Sequence, residues 1–453
     1  ILAFGILVLA VNLLFVVATR WRRRSVAGLR QRLSWSLRAV DLVAIGLYTW
    51  ILQGLEWPRF VASNLNLKGW ILVDELLVLA PFVVLQILGW TAMFPAERAL
   101  RPSMARSRFG PHLIRKARQS LGLVLPMALI YGLGRDLLDW LGPEWREDSL
   151  VQLGCVALMS ILVLGLSPAF VRLAWPTHPL PPGALRDRLE RLARRLKFAY
   201  TDILIWDTEH AIVNAGVTGA LPWFRYVLLT DELVDELTPL EIEAVFGHEV
   251  GHVAHRHLLF FGLFFLGSLG VLALLASAAR QWLGLGPGGW TERWLPGPLL
   301  VEAAEELVLL AMIGGYLLMV FGFLSRRFER QADLYGCRAV SCGQTICPPH
   351  HDLNAAPDDP PVPLDLCPVG IRIFADALEN VAVENGLDLD RHTWRHGSIR
   401  QRIHFLESLE GRPERVRRFQ ARLVKLRVGL VLVLALTSAL AIWLADALGN
   451  LLD

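Results

Sequence analysis

Eight long apolar stretches constrain this chain more than any other feature. They lie near residues 1–19, 39–57, 69–95, 121–141, 150–175, 258–281, 301–324 and 427–449. A helix needs about 20 largely apolar residues to cross a bilayer core. In lipid every backbone polar group must find its partner inside the protein, so such stretches predict membrane-spanning helices. The composition agrees: 54% of the residues are hydrophobic and only 19% are charged, against roughly 25% charged in ordinary soluble domains. Mean hydropathy is +0.43. The fourth stretch is the weakest, because Arg135, Asp136 and Asp139 interrupt its end. The seventh opens on Glu302, Glu305 and Glu306, which suit an interface. The first begins at Ile1 and is followed by Arg20-Trp21-Arg22-Arg23-Arg24. A secretory signal carries its charges before the apolar core, so this order predicts a span whose true start lies upstream.

Charge in the loops sets an orientation. Seven arginines lie between the first and second stretches, and seven basic residues between Arg98 and Arg118. The intervening loop has only Arg59 and Lys68, and GPEWREDS after the fourth stretch is net acidic. The positive-inside rule places the Arg-rich loops in the cytoplasm. Counting onward puts 176–257 and 325–426 on that same side, where they can meet, and both termini outside. Lysine occurs only at 68, 116, 197 and 425, so arginine supplies nearly all of the 45 basic residues. That bias suggests GC-rich coding and a bacterial inner membrane. A net charge of +3 is too small to imply a nucleic-acid partner. The expected organisation is a five-span membrane domain (1–176), a first polar segment (177–257), a two-span hairpin (258–324), a second polar segment (325–426) and a last span (427–453).

FGHEVGHVAHRH, residues 246–257, carries the chemistry. The preceding TPLEIEAV reads as a helix start, with Thr238 as cap, Pro239 in the first turn and Glu241 completing a capping box. On that helix His248 and His252 are one turn apart and share a face. Glu249 stands beside them, within reach of water at a metal. This is the H-E-x-x-H arrangement of zinc hydrolases. Gly247 and Gly251 leave room for close helix packing or for substrate. His255 and His257 do not complete a three-histidine set, because position 255 is not Gly and position 258 is Leu; they read as interfacial groups or as supports of the ligands.

A zinc hydrolase needs a third protein ligand and one open position. SRRFERQADLYG, residues 325–336, offers Glu329 and Asp333 at helical spacing. The sixth and seventh stretches form a hairpin that returns this segment to the side where His248 lies. Glu329 then completes a two-histidine, one-glutamate set. Asp333, one turn on, can accept the second ring N–H of a ligand histidine and fix its tautomer.

With VNAGVTGALPWFRYVLLTDELVDELTPLEIEAVFGHEVGH, FERQADLYG and RHGSIRQRIHFL in this order, residues 180–410 resemble the integral-membrane zinc endopeptidases of the type I CAAX prenyl protease and HtpX. The resemblance implies a zincin-like α+β catalytic domain with a small sheet, one Zn2+ per chain, and Glu329 as third ligand beside Asp333. It also implies that His396 and Arg402 steady the oxyanion. The residue after the late His is often Pro in that family; here it is Gly397. The sheet would present an edge near Asn214 and Ala215 to an extended peptide. The implied activity is zinc-dependent hydrolysis of peptide bonds in membrane-associated or misfolded proteins, with Glu249 as base. The alternatives are processing of lipidated CAAX-type C-terminal peptides, or a non-catalytic scaffold or transporter that keeps a structural metal.

Cys337, Cys342, Cys347 and Cys367 crowd one region with His350 and His351. No C-x-x-C pair occurs, and a cytoplasmic side disfavours disulfides. PPHHDLNAAPDDPPVP therefore reads as a flexible Pro-rich loop carrying reduced thiols, in preference to a second metal site or a redox role.

Overall fold

A computed structural model of the chain describes residues 8–9, 13, 26–65, 72–100, 108–142, 144–145, 148–208, 210, 212–282, 290–294, 298–342, 347 and 365–452. The chain divides into two compact units: residues 1–178 with 204–211, and residues 179–203 with 212–453.

The first unit is a set of long apolar helices: α1 (Val26–Gln53), the short α2 (Trp57–Asn64), α3 (Val73–Leu100), α4 (Phe109–Leu141) and α5 (Ser149–Ala174). Leu33, Ala44 and Ile51 of α1 pack against Leu85, Met93 and Ala96 of α3. Helix α4 bends by 40° between Gly122 and Val124. Pro126 explains the bend, since it has no N–H to donate to the carbonyl of residue 122 and its ring crowds that carbonyl. The charges that weaken this stretch in the sequence are satisfied within the unit. Arg135 Nη2 lies 2.6 Å from Asp74 and 2.7 Å from Glu75, and Asp136 accepts the Leu72 N–H at 3.0 Å.

After β1 (Thr177–Pro179) come α6 (Ala184–Arg195), β2 (Asp202–Trp206), β3 (Ala215–Thr218), β4 (Tyr226–Thr230), α7 (Asp231–Glu236) and α8 (Pro239–Ala254). The strands form one sheet in the order β1-β2-β4-β3, so β3 is an edge. It pairs antiparallel with β4, Ala215 opposite Leu229. The remaining helices are α9 (His257–Trp282), α10 (Trp290–Trp294), α11 (Pro298–Tyr316), α12 (Gly322–Ala339), α13 (Pro368–Glu384), α14 (Ile399–Glu407) and α15 (Pro413–Leu452), with one π-helical turn, Leu317–Phe321, between α11 and α12.

Among the described residues, six helices are long and apolar enough to cross a membrane, and the bent α4 makes a seventh. These fall on the second to eighth stretches read from the sequence. The first, 1–19, lies almost wholly outside the described residues. The segment Ala304–Ala339 runs 36 residues, about 54 Å at the helical rise, against a hydrocarbon core of about 30 Å. Its second half, α12, therefore continues beyond the thickness a span requires and carries Glu329 with it. The last span is built alike: α15 is one 40-residue helix joining the Arg-rich segment to the apolar stretch.

Helix α8 begins as the sequence predicts. Thr238 Oγ1 accepts the Glu241 N–H at 3.4 Å, and Glu241 Oε2 accepts the Thr238 N–H at 2.8 Å. The α8 glycines serve packing. A Cβ on Gly247 would sit 2.5 Å from Ala339 Cβ, and one on Gly251 would sit 2.8 Å from Tyr335 Cβ. They let α8 lie directly on α12, the contact that brings the two halves of the site together. Gly247→Val should therefore lower the melting midpoint of the detergent-purified chain, by the ~1–3 kcal/mol that overpacking costs. An unchanged midpoint would mean that α12 can shift without penalty.

Candidate metal centre

Each ligand candidate sits where helix geometry puts it. His248 and His252, one turn apart on α8, bring their Nε2 atoms to 3.2 Å. Glu329, from α12, places Oε2 at 3.7 Å from His248 Nε2 and Oε1 at 3.8 Å from His252 Nε2. Four ligands at zinc's N and O bond lengths of 2.0–2.1 Å stand about 3.3 Å apart in a tetrahedron. Two imidazole nitrogens and a carboxylate at these separations fit zinc without rearrangement of the chain.

The proton positions support the same fit. Gln331 Oε1 accepts from Arg427 Nη2 at 2.6 Å and lies 3.1 Å from His257 Nε2, so that nitrogen carries the proton. His257 Nδ1 is then an acceptor. It lies 2.9 Å from His252 Nδ1, which must donate to it. His252 Nε2 is left with its lone pair toward Glu329. On the other ligand, Asp333 Oδ1 lies 3.0 Å from His248 Nδ1, off the ideal hydrogen-bond line, and favours the proton there. Both rings can therefore offer Nε2 to a metal: His252 as a neutral ring, and His248, whose pKa burial lowers but Asp333 raises above its ordinary value, by releasing its Nε2 proton as the ion binds. Burial, then the neighbouring charge of His248, pushes His252 down to about 4, which keeps it neutral.

Asp333 is buried and accepts Arg402 Nε at 2.9 Å and Nη2 at 2.5 Å, a two-point pairing of planar groups. Burial opposes the Arg402 charge, but Asp333 and then Glu329 raise its pKa further. Nη1 is the terminal nitrogen that Asp333 does not engage. His396 Nδ1 lies 3.1 Å from Glu329 Oε1 on a half-exposed side chain. It is held by a tight turn in which Thr393 and Gly397 exchange backbone hydrogen bonds at 3.0 Å. Gly397 has φ +76°, a value that proline cannot adopt.

Glu249 is partly buried on the wall of a cavity of ≈ 840 Å³, with Asn214, Ala215, Val217, His396 and Arg402 also at its surface. Burial, opposed by the charge of His248, pushes the Glu249 carboxyl up to about 7. A carboxyl with that affinity can both take and return a proton near neutrality. The structure thus brings together every site residue the sequence singles out. His257, read from the sequence as an interfacial group or a support of the ligands, contacts His252, and Gln331 and Arg427 stand behind it. Of these, FERQAD and the histidine-rich run displayed the first two, but no spacing rule pairs them.

Residues 179–348 match the model of Peptidase family M48. An HtpX homologue of Aeropyrum pernix is 30% identical over 204 residues, which is 42% of this chain and 60% of that protein. CAAX prenyl protease 1 of Saccharomyces cerevisiae is 26% identical over 207 residues, 42% of this chain and 45% of that one. The chain thus spans less than two thirds of both relatives. The crystal structure of S. mikatae Ste24p shares the fold, with a TM-score of 0.50 at 15% identity over 89% of this chain and 98% of that one. Residues 179–348 are accordingly similar to peptidase family M48, within a helical membrane fold like that of Ste24p.

Proposed function

We propose that this chain is a membrane-embedded, zinc-dependent endopeptidase that cleaves extended segments of membrane-associated or misfolded proteins. The observation that carries the reading is the convergence of His248, His252 and Glu329 beside Glu249 in a cavity bounded by a free strand edge. Zinc there would polarise a scissile carbonyl and make a water acidic near neutral pH. Glu249 takes the water's proton on its carboxylate and passes it to the leaving amine. Arg402 and His396 line the same cavity, where their N–H groups can donate to an oxyanion. The similarity to HtpX homologues and prenyl proteases supports this assignment of roles. The arginine-rich loops support a cytoplasmic placement of the site, and the apolar stretches a lipid bilayer as its surroundings.

The register gives the substrate its place. Thr230 donates its backbone N–H to Asn214 O at 3.0 Å, so residues 214 and 230 form a hydrogen-bonded pair. By alternation the pairs 216–228 and 218–226 do likewise. The N–H and C=O groups of Ala215 and Val217 then point away from β4, to the free edge that lines the cavity. An extended peptide can add there as a further strand, with little demand on its sequence. Leu258, Leu259 and Phe261, at the head of a membrane span, line the same cavity and suit apolar segments near the bilayer.

The test is cleavage of an unfolded reporter protein by the detergent-purified chain. Ala215→Pro removes an outward N–H and spares the β3–β4 ladder. It should lower kcat/KM about two- to tenfold through KM, the worth of one hydrogen bond. Gly216→Pro breaks the ladder itself and should cost stability instead. Equal kinetics for wild type and Ala215→Pro would remove the edge from the substrate path. Preference for a prenylated C-terminal peptide over the reporter would favour CAAX-type processing.

A further inference from the structure

Three of the chain's five cysteines converge at the far end of α12. Cys342, Cys347 and Cys367 bring their sulfurs within 4.8 Å of one another. The sequence separates them by four and nineteen residues, which no local motif would bring together. The fold closes the gap. Ser341 Oγ donates to Cys337 O at 2.7 Å and accepts the Cys367 N–H at 3.3 Å, fastening the end of α12 to the start of α13. A Cβ on Gly370 would overlap Ser341 Oγ and meet Cys337 O at 3.2 Å, so glycine permits this approach. Cys367 is buried and caps α13: its Sγ accepts the Gly370 N–H at 3.3 Å. Cys342 and Cys347 are half-buried against it.

We propose that Cys342, Cys347 and Cys367 form a second, thiolate zinc site that staples the end of α12 to the start of α13. Three sulfurs in one place are a soft ligand set, the kind that selects zinc over hard cations. Tetrahedral zinc with bonds of about 2.3 Å holds sulfurs about 3.8 Å apart, within the limit observed. Each thiol releases its proton to solvent as its sulfur binds the ion. The three supply three of zinc's four positions. A disulfide would use two sulfurs and leave the third without a role. The staple lies beyond the last turn of α12, whose eleven residues from Glu329 to Ala339 span about 15 Å. It fixes two helices that frame the other centre: α12 carries Glu329, and the Phe374 ring of α13 lies tilted by 31° against His248, with centroids 6.0 Å apart. The site does not depend on the peptidase reading.

The full chain, purified in detergent under reducing conditions, should hold two zinc ions by elemental analysis. Cys342→Ser/Cys347→Ser should hold one, and so should His248→Ala/His252→Ala; the four-fold variant should hold none. With cobalt in place of zinc, the near-ultraviolet sulfur-to-cobalt charge-transfer band should appear in wild type and in the histidine variant. It should vanish in the cysteine variant. If the cysteine variant does not fold, the spectrum of the histidine variant still decides. Absence of that band, a wild-type zinc content in the cysteine variant, or a disulfide among the three after thiols are blocked at lysis would each overturn the proposal.

Discussion

Glu249→Gln should keep its zinc and lose peptide cleavage, with kcat/KM falling by about 10²–10⁴-fold, the usual worth of a positioned acid–base group. The argument is geometric. Gln is the same size as Glu, so α8 and its seat on α12 are unchanged. Residue 249 is outside the set of His248, His252 and Glu329, so the metal's hold is unchanged as well. What is removed is the one carboxylate at the cavity wall that ligates nothing and sits near neutrality, about 7. An amide cannot take a proton from water. Elemental analysis and cleavage of an unfolded reporter, run on the same preparation, separate the outcomes. Cleavage that persists with zinc bound would hand the base's role to another group, with His396, which lines the same cavity, a candidate. Zinc lost together with activity would make Glu249 a structural residue. Cleavage absent from wild type, with zinc present, would favour a metal-stabilised scaffold. Loss of one zinc and of cleavage together in the His248→Ala/His252→Ala variant, with a chelator-sensitive wild type, would tie the activity to this centre.

The parts of this site that the sequence displays are those whose geometry is local. A helix turns once in 3.6 residues, so H-E-x-x-H and E-x-x-x-D each declare which side chains share a face. The Thr238–Glu241 capping box fixes where α8 starts, and it forms as read. The spans are legible because lipid demands about 20 apolar residues, whatever packs around them. What the sequence does not display depends on where one helix stops against another. His257 reaches His252 because α8 ends at Ala254 with His255 as its cap, and Arg256 takes a positive φ of 55° that breaks the helix before α9 begins. No periodicity announces that. Gln331 and Arg427 meet only because α15 continues unbroken from its polar start into the membrane. The sulfurs of Cys342 and Cys367 meet only because Gly370 allows α13 to begin on the end of α12. The α8 glycines could be read for packing or for substrate, and the positions of Ala339 and Tyr335 decide for packing.

Asp333→Leu should cost about 3–5 kcal/mol of stability, because it leaves the Arg402 guanidinium buried with its main partner gone. The side chains of Asp333 and Arg402 are 0% and 9% exposed, so water does not replace the lost carboxylate. The same substitution removes the acceptor beside His248 Nδ1. Loss of such a partner typically weakens metal binding 10–100-fold. The two effects come from one residue but through different neighbours, and a second substitution separates them. Arg402→Met alone leaves Asp333 charged and buried, and should be destabilised to a similar degree. In Asp333→Leu/Arg402→Met both charges are gone and two apolar side chains fill the space. Replacing a whole buried pair in this way is often neutral or better. The double variant should therefore recover most of the thermal midpoint. Its zinc affinity, read by chelator competition, should stay as low as in Asp333→Leu, since His248 still lacks its acceptor. Affinity that recovers with stability would show that Asp333 acts on the metal only by holding the fold. A double variant no more stable than either single one would show that the Asp333–Arg402 pair adds more than it costs. Arg402→Met that keeps full stability and loses only turnover would move Arg402 from support of Asp333 to direct contact with the reacting carbonyl.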